Sequence, residues 1–318
     1  MDGQTELKER KTVSLLVPVF NEESTVEIFY STVRSCEGMA AYRVEIIFVN
    51  DGSTDQTEKK LEQLAEKDPD IKVVTFMRNF GKEAALCAGL EFAQGDAVIP
   101  MDVDLQDPLE TAILMLQRWE DGCDVVLAKR VDRTSDNIFK RTTAKLFYKF
   151  YNAISHTKIE ENVGDFRLLD RKIVDNLKLL QEKNLFMKGL FSWVGAEHVG
   201  IVEYKRAKRV GGKTKFNSWK LWNFAIDGLT GYSTIPLRIW TYLGAFIASI
   251  SFILATKIIV SKIFFGNDVK GYPSTIVCIL FLGGIQLIGI GVLGEYIGRI
   301  FSEVKNRPRY IIRKTKNL

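Results

Sequence analysis

The stretch AVIPMDVDLQD, residues 97–107, decides the fold of this 318-residue chain. Its first five residues are apolar, which predicts a short buried strand. Asp102 and Asp104 follow at once, with Gln106 beside them. The stretch therefore predicts a strand that ends in a cluster of oxygen ligands.

The same pattern recurs earlier in the chain. Val13–Phe20 is an apolar run followed by Asn21-Glu22, and Val44–Asn50 is an apolar run followed by Asp51-Gly52-Ser53. Further predicted strands are Ile71–Phe76 and Asp124–Ala128, and the predicted helices end near Cys36 or cover Gln56–Lys67, Gly81–Ala93 and Glu110–Trp119. This alternation predicts βαβ units, that is, an α/β fold with a mostly parallel sheet and helices on both faces. Ligands bind beyond the carboxyl ends of such strands, so the polar clusters should converge on one crevice.

The residues after the fourth strand have the chemistry of a metal site. Asp102, Asp104 and Gln106 offer only oxygen atoms, which Mg²⁺ and Mn²⁺ prefer. A bare Asp-x-Asp also occurs in solvated turns. Its position directly after an apolar strand favours the metal site.

Other polar motifs leave two interpretations open. Arg78–Lys82 places two cations around a glycine before a helix, which suits either a phosphate or a simple helix cap. Gly164–Arg167 places an acid and an arginine in a strand or tight turn. The cationic stretch from Arg206 to Lys215 suits either a lipid phosphate or anionic headgroups in general.

Two long apolar segments, Thr241–Phe265 and Tyr272–Ile297, predict a hairpin of transmembrane helices. The alternative is a buried helical hairpin in a soluble domain. After Gly298 the chain carries seven Lys or Arg and one Glu, which predicts a cytoplasmic side. The polar N-terminus lacks an apolar stretch of the signal-peptide type, so the first domain should stay in the cytoplasm. The predicted domains are 1–215 (catalytic), 216–240 (interfacial and amphipathic), 241–298 (transmembrane) and 299–318 (basic tail).

Composition excludes several classes of protein. Four cysteines are scattered without metal or disulfide spacing, and only two histidines occur. No G-x-S-x-G, Walker lysine loop or G-x-G-x-x-G is present, which argues against triad hydrolases, P-loop enzymes and Rossmann dehydrogenases. The net charge of +5 comes with no nucleic-acid motif, so no nucleic-acid partner is expected.

Taken together, the motifs resemble inverting GT-A glycosyltransferases of family 2, in the polyprenyl-phosphate branch. The C-terminal part is similar to bacterial undecaprenyl-phosphate sugar transferases. The stretches that carry the resemblance are Val17–Glu22, Asn50–Ser53, Arg78–Gly81, Asp102–Asp107, Leu293–Arg299 and Arg307–Tyr310. One departure is Asn50, because many relatives have a second aspartate there.

The resemblance implies roles for named residues. Those assigned to the nucleotide are Pro18, Asn21, Glu22 and Asp51, with Asp51 reading the uracil. Those assigned to Mg²⁺ or Mn²⁺ on the diphosphate are Asp102, Asp104 and Gln106. Those assigned to the acceptor side are Asp165 and Arg167, and the catalytic set is Asp104, Asp165 and Arg167. By their charge, Arg206 and Lys215 are further candidates to bind the acceptor phosphate.

The reaction implied is transfer of glucose from UDP-glucose to undecaprenyl phosphate with inversion, at the bacterial inner membrane, for O-antigen modification. A flippase and a second glycosyltransferase are implied as functional partners, and inner-membrane lipid as the surroundings. Open alternatives are another sugar (modified arabinose or mannose), a non-catalytic nucleotide-binding scaffold, a processive synthase, and a flippase or channel. The glycine-rich second span would also allow a homo-oligomer.

Overall fold

The computed structural model describes residues 10–131, 160, 162–180, 182–183, 187–207, 234–265 and 271–318. The strands are β1 (Thr12–Val19), β2 (Arg43–Asn50), β3 (Ile71–Phe76), β4 (Ala97–Pro100), β5 (Val125–Arg130), β6 (Val163–Asp170), β7 (Val199–Tyr204) and β8 (Ile312–Lys316). The helices are α1 (Val26–Arg34), α2 (Thr57–Lys67), α3 (Lys82–Phe92), α4 (Leu109–Glu120), α5 (Arg171–Lys178), α6 (Met187–Val194), α7 (Ile235–Phe265) and α8 (Tyr272–Val304). A single 3₁₀ turn covers Glu37–Met39.

The strands form one sheet in the order β7-β5-β6-β4-β1-β2-β3-β8. β1, β2, β3 and β4 are parallel neighbours, which confirms the predicted parallel core. However, β6 runs antiparallel to both β4 and β5, and β8 runs antiparallel to β3. The sheet is therefore mixed, and β6 starts at the edge where β4 ends.

Helices cover both faces of the sheet, as predicted. Successive side chains of a strand point to opposite faces, so Leu15 packs with Phe29 of α1, whereas Leu16 packs with Leu86 of α3. Each of these four side chains is at most 1% exposed. Burying a side chain of this size stabilises the fold by about 1.5–3 kcal/mol.

The two C-terminal helices are long and apolar enough to cross a membrane. The candidate spans are Leu237–Ile258 and Phe281–Val304, and none of either span is buried within the chain. Phe252 is 75% exposed and Leu287 is 71% exposed. A helix that is apolar all round needs an apolar environment, so a hairpin buried in a soluble domain is disfavoured and the chain is membrane-associated.

The start of the first long helix differs from the sequence prediction. α7 begins at Ile235, so Trp240 belongs to its second turn rather than to a separate interfacial segment. The ring of Trp240 lies against α8, where a Cβ on Gly289 would be 3.4 Å from it. The rest of the predicted interfacial segment, residues 216–233, and Lys215 lie outside the described residues.

The predicted basic tail, 299–318, begins inside α8, and its last part is bound to the sheet. α8 continues to Val304, and β8 then pairs with β3. Three cations of the tail contact three glutamates spaced one helical turn apart on α2. The pairs are Arg313–Glu58, Lys314–Glu62 and Lys316–Glu66. These cations are therefore paired with protein carboxylates and not left free for lipid headgroups.

Candidate active site

A cleft of about 580 Å³ opens at the carboxyl edge of the sheet. It is bounded by the ends of β1, β4, β5 and β7, by the start of β6 and by the first turn of α3. The antiparallel direction of β6 explains why its first residues reach this edge. Of the three polar clusters predicted to converge, only Asp102–Asp107 lines this cleft, whereas Asn21, Glu22 and Asp51 do not line it. The cleft also contains side chains that the strand pattern alone did not place there.

An ammonium group joins two carboxylates inside the cleft. Lys82 Nζ lies 2.7 Å from Asp102 Oδ1 and 3.0 Å from Asp165 Oδ2. Burial would raise the pKa of the Asp165 carboxyl, but the charge of Lys82 holds that pKa below its usual value. Asp165 is thus an ionised carboxylate at neutral pH.

More cations line the same cleft, namely Arg130, Lys188 and Arg206. The guanidinium of Arg206 is 4.0 Å from Asp102 Oδ2, on the side away from Lys82. Arg130 is half-buried, and its buried Nε atom has no hydrogen-bond partner among the described residues. Together with Lys82 they face four acids of the cleft, Glu83, Asp102, Asp107 and Asp165, so the cleft offers donors to an anionic ligand and carboxylates to a cation.

Two further acids of the cleft have raised pKa values. Burial, with the nearby Asp102, raises the pKa of Asp107 to about 6, and the Tyr204 hydroxyl donates to its carboxylate at 3.1 Å. Burial, with the nearby Asp165, raises the pKa of Glu83 to about 7. The backbone N–H of Met187 donates to Glu83 at 3.1 Å, which ties α3 to α6.

The predicted metal ligands differ in their exposure. Asp102 lines the cleft, whereas Asp104 is only 3% exposed and accepts the backbone N–H of Gln106 at 3.2 Å. The backbone carbonyl of Gln106 accepts the N–H of Ala207, just after Arg206. The Asp102–Gln106 turn is therefore fastened to the end of β7.

Asp51 holds a neighbouring loop by its backbone. The N–H groups of Phe80 and Gly81 donate to its two carboxylate oxygens at 2.6 and 2.9 Å. Asp51 is 4% exposed, and burial raises the pKa of its carboxyl. Asp51 thus holds the two backbone amides just before α3, and these contacts fix the loop that leads into Lys82.

Gly52 is required by this contact. Its φ is +67°, and a Cβ there would lie 2.5 Å from the carbonyl carbon of Arg78 and 2.7 Å from the nitrogen of Asn79. No side chain fits at that distance. The loop 78–81 consequently rests directly on the turn 51–53 and positions the first residue of α3, Lys82.

The turns after β1 and β2 are interlocked. The Asn21 N–H donates to Ser53 Oγ at 2.9 Å, and Asn21 Oδ1 accepts the Thr54 N–H at 2.8 Å. Glu22 Oε2 accepts the Thr25 hydroxyl at 2.9 Å, at the start of α1. Pro18 lines the cleft, and Asn50 Oδ1 accepts the Ser53 N–H at 3.0 Å, a contact that needs no charge at position 50.

Arg167 lies behind the cleft and does not line it. It is 6% exposed, donates to the Gly164 carbonyl at 2.7 Å, and lies 4.3 Å from the centre of the Phe191 ring. Burial lowers its pKa to about 10. It shares one face of β6 with Asp165, so its observed contacts support the strand beside Asp165.

A second group of potential metal ligands lies at the opposite edge of the sheet. Asp124, Glu197 and His198 come together there, and His198 Nδ1 is 3.6 Å from Asp124. The ammonium of Lys172 already contacts Asp124 at 2.5 Å. This group is separated from the cleft by the length of the strands.

Sequence reasoning did not assign Lys82, Glu83, Arg130 or Lys188 to the cleft. Arg130 could have been found, because it follows the predicted strand Asp124–Ala128 by two residues. The other three lie on α3 and α6, and their position depends on how those helices pack on the sheet. No local signal in the sequence encodes that packing.

Family models match two parts of the chain. The model described as glycosyl transferase family 2 matches residues 14–178, and the model described as the GtrB C-terminal hairpin matches residues 235–300. The first match includes Lys82 and the two carboxylates that it contacts, Asp102 and Asp165. The second covers α7 and most of α8.

Relatives are similar over nearly the whole chain. An SfII prophage-derived bactoprenol glucosyl transferase of Shigella flexneri is 60% identical over 95% of this chain and 98% of its own length. An uncharacterized glycosyltransferase of Synechocystis is 47% identical over 94% of each chain. Among solved structures, a mannosyltransferase from Pyrobaculum calidifontis in complex with GDP-mannose and Mn²⁺ is 18% identical over 94% of this chain and 88% of that chain, with a TM-score of 0.48.

Proposed function

The chain belongs to glycosyl transferase family 2, and we propose that it transfers glucose from UDP-glucose to undecaprenyl phosphate with inversion at the anomeric carbon. The observation that carries the proposal is the cleft, in which Lys82 joins Asp102 to Asp165 and in which other cations and acids lie beside them. The prophage-encoded bactoprenol glucosyl transferase at 60% identity supports glucose as the sugar and O-antigen modification as the purpose.

The donor would occupy the side of the cleft nearest β1, β2 and β4. Pro18, Asn21, Glu22 and Asp51 belong to turns that the structure interlocks at this edge. Asp51 already accepts two backbone N–H groups, and each carboxylate oxygen has a second lone pair with which it would accept the N–H of uracil.

A divalent cation fits the oxygen ligands next to this pocket. Asp102 presents a carboxylate to the cleft, and Asp104 and Gln106 lie in the same turn. We propose that these three residues hold Mg²⁺ or Mn²⁺, which would neutralise the charge of the leaving diphosphate. The residues themselves fix the turn through the Gln106–Ala207 contact.

The acceptor needs positioning more than activation. A phosphomonoester has a second pKa of about 6, so it is largely dianionic at neutral pH and needs no strong base. We propose that Arg130 and Arg206, which line the cleft, bind its charged phosphate, together with Lys215, which lies outside the described residues. They would bring the phosphate oxygen close to the sugar carbon in spite of the repulsion between two phosphate groups.

Asp165 then serves as an orienting group. Its pKa is held low, so it is a weak base, and the nucleophile requires none. Its carboxylate fixes the ammonium of Lys82, and Arg167 supports it from behind by its contacts to Gly164 and Phe191. Both residues therefore contribute to catalysis by geometry.

The membrane arrangement follows from the two apolar helices. We propose that residues 1–215 form the catalytic domain on the cytoplasmic side of the bacterial inner membrane and that 216–234 meets the lipid surface. The two spans then lie within α7 and α8, at Leu237–Ile258 and Phe281–Val304. The tail 299–318 returns to the cytoplasmic domain. A lipid-linked glucose made there requires a flippase and a second glycosyltransferase before it reaches O-antigen.

Sugar transfer in isolated membranes tests the proposal. Membranes with the full chain receive undecaprenyl phosphate and radiolabelled UDP-glucose, UDP-galactose or UDP-N-acetylglucosamine, with and without EDTA. We expect EDTA-sensitive label in a lipid phosphate from UDP-glucose alone. Label from another donor would reject glucose, and lipid-linked label from none of the donors would reject the reaction.

A further inference from the structure

The ammonium of Lys82 occupies the point where the donor and acceptor sides of the cleft meet. It contacts Asp102 on the side of the metal ligands and Asp165 on β6. A lysine ammonium has three N–H donors, and these two carboxylates use two of them. The side chain is 43% exposed, so the cleft has access to the group.

The backbone fixes this ammonium in place. Lys82 is the first residue of α3, directly after Gly81, whose φ is +98° and whose N–H is held by Asp51. The backbone of Gly52 lies directly against Arg78 and so fixes the loop 78–81. The position of Lys82 is thus determined by the same turns that would hold the nucleotide.

We propose that Lys82 binds the phosphate of the lipid acceptor, and this rests on the function proposed above. Asp102 cannot serve the ammonium and a divalent cation equally, because two cations on one carboxylate repel each other. When the divalent cation binds Asp102, Lys82 keeps its contact with Asp165. The N–H that contacted Asp102 then donates to the acceptor phosphate. The contact with Asp102 in the donor-free protein is therefore a resting position that balances the charge of the cleft.

Three variants of the full chain in detergent test this assignment. Lys82→Met removes the charge, Lys82→Arg keeps it with a different shape, and Lys172→Met is the matched control, because its ammonium contacts Asp124 at the opposite edge of the sheet. For each variant, the KM values for undecaprenyl phosphate and UDP-glucose are measured. Mn²⁺ binding to the donor-free protein is measured by electron paramagnetic resonance, and UDP binding by calorimetry.

We expect Lys82→Met to raise the acceptor KM about tenfold or more, as for a lost charged hydrogen bond, with the donor KM within about twofold of wild type. Mn²⁺ should bind the donor-free variant about fivefold more tightly, because the competing ammonium is gone. Lys82→Arg should show a smaller rise in acceptor KM, and Lys172→Met should match wild type in every measurement.

Two outcomes would overturn the assignment. A rise in donor KM and UDP dissociation constant with an unchanged acceptor KM would place the ammonium on the donor diphosphate. If Lys82→Met leaves both KM values and the Mn²⁺ affinity unchanged, Lys82 forms only a structural ion pair and does not bind the acceptor. If wild type fails to label any lipid phosphate, the proposed function is wrong, whereas the Mn²⁺ titration still tests the Lys82–Asp102 contact.

Discussion

Replacing Gly52 by alanine should disable transfer without unfolding the chain. An L-residue at a φ of +67° costs about 1–2 kcal/mol. The added Cβ would also lie 2.5 Å from the Arg78 carbonyl carbon, which is closer than carbon atoms approach. The loop 78–81 must therefore move by about 1 Å, and Lys82 at its end moves with it. A misplacement of about 1 Å can lower a rate about 10²-fold.

Gly122→Ala is the matched control for the backbone strain. Gly122 also has a positive φ, +99°, but an added Cβ meets no atom within 4 Å. Both variants should lose a few degrees of thermal midpoint, measured on the detergent-solubilised chain. Only Gly52→Ala should lose label transfer to undecaprenyl phosphate by about 10²-fold.

The loss of transfer in Gly52→Ala should come with intact membrane insertion and a folded circular dichroism spectrum. An equal loss of transfer in Gly52→Ala and Gly122→Ala would refute the reasoning, because backbone strain alone would then account for both losses. Full activity of Gly52→Ala would show that the loop adjusts without moving Lys82.

Three further changes test other parts of the molecule. Asp104→Ala should abolish label transfer while the chain still sediments with membranes, and substantial residual turnover would remove the metal argument. Because the pKa of Glu83 is raised to about 7, the folded state holds a proton that the unfolded state loses near pH 4.5. The thermal stability should therefore fall as the pH rises from 4.5 to 7. Glu83→Gln should lessen that fall. Lys314→Glu should speed hydrogen exchange in residues 312–316, since an exposed pair contributes about 0.2–1 kcal/mol, and Glu62→Lys in the same chain should restore protection; no change in exchange would mean that the pair does not hold the tail.

The parallel part of the site could be predicted from local pattern. Asn21, Asp51 and Asp102 each follow an apolar run, and parallel strands place their carboxyl ends at one edge. The interlocking of Asn21 with the turn after β2 is a direct consequence of the register between Val19 and Asn50. Only the order of alternating elements was needed for this inference.

The other half of the site depended on information that is not local. Asp165 reaches the cleft because β6 is inserted antiparallel between β4 and β5, and neither the direction nor the sheet order is encoded in Gly164–Arg167. The tail strand was also missed, although a signal existed. Glu58, Glu62 and Glu66 are spaced four residues apart, which places them on one helix face. Such an acidic face indicates a basic partner.

The tail limits how far the cleft can lie from the membrane. Eight Cα–Cα steps lead from Val304 at the end of α8 to Ile312 at the start of β8, and at about 3.5 Å each they span at most about 28 Å. Glu303 at the end of α8 also accepts the Lys183 N–H at 2.9 Å. Since β8 is paired with β3 in the same sheet as the cleft, the sheet cannot move away from the C-terminal end of α8. An acceptor whose phosphate stays at the membrane surface requires such a limit, because a cleft that could drift outward would lose contact with the phosphate.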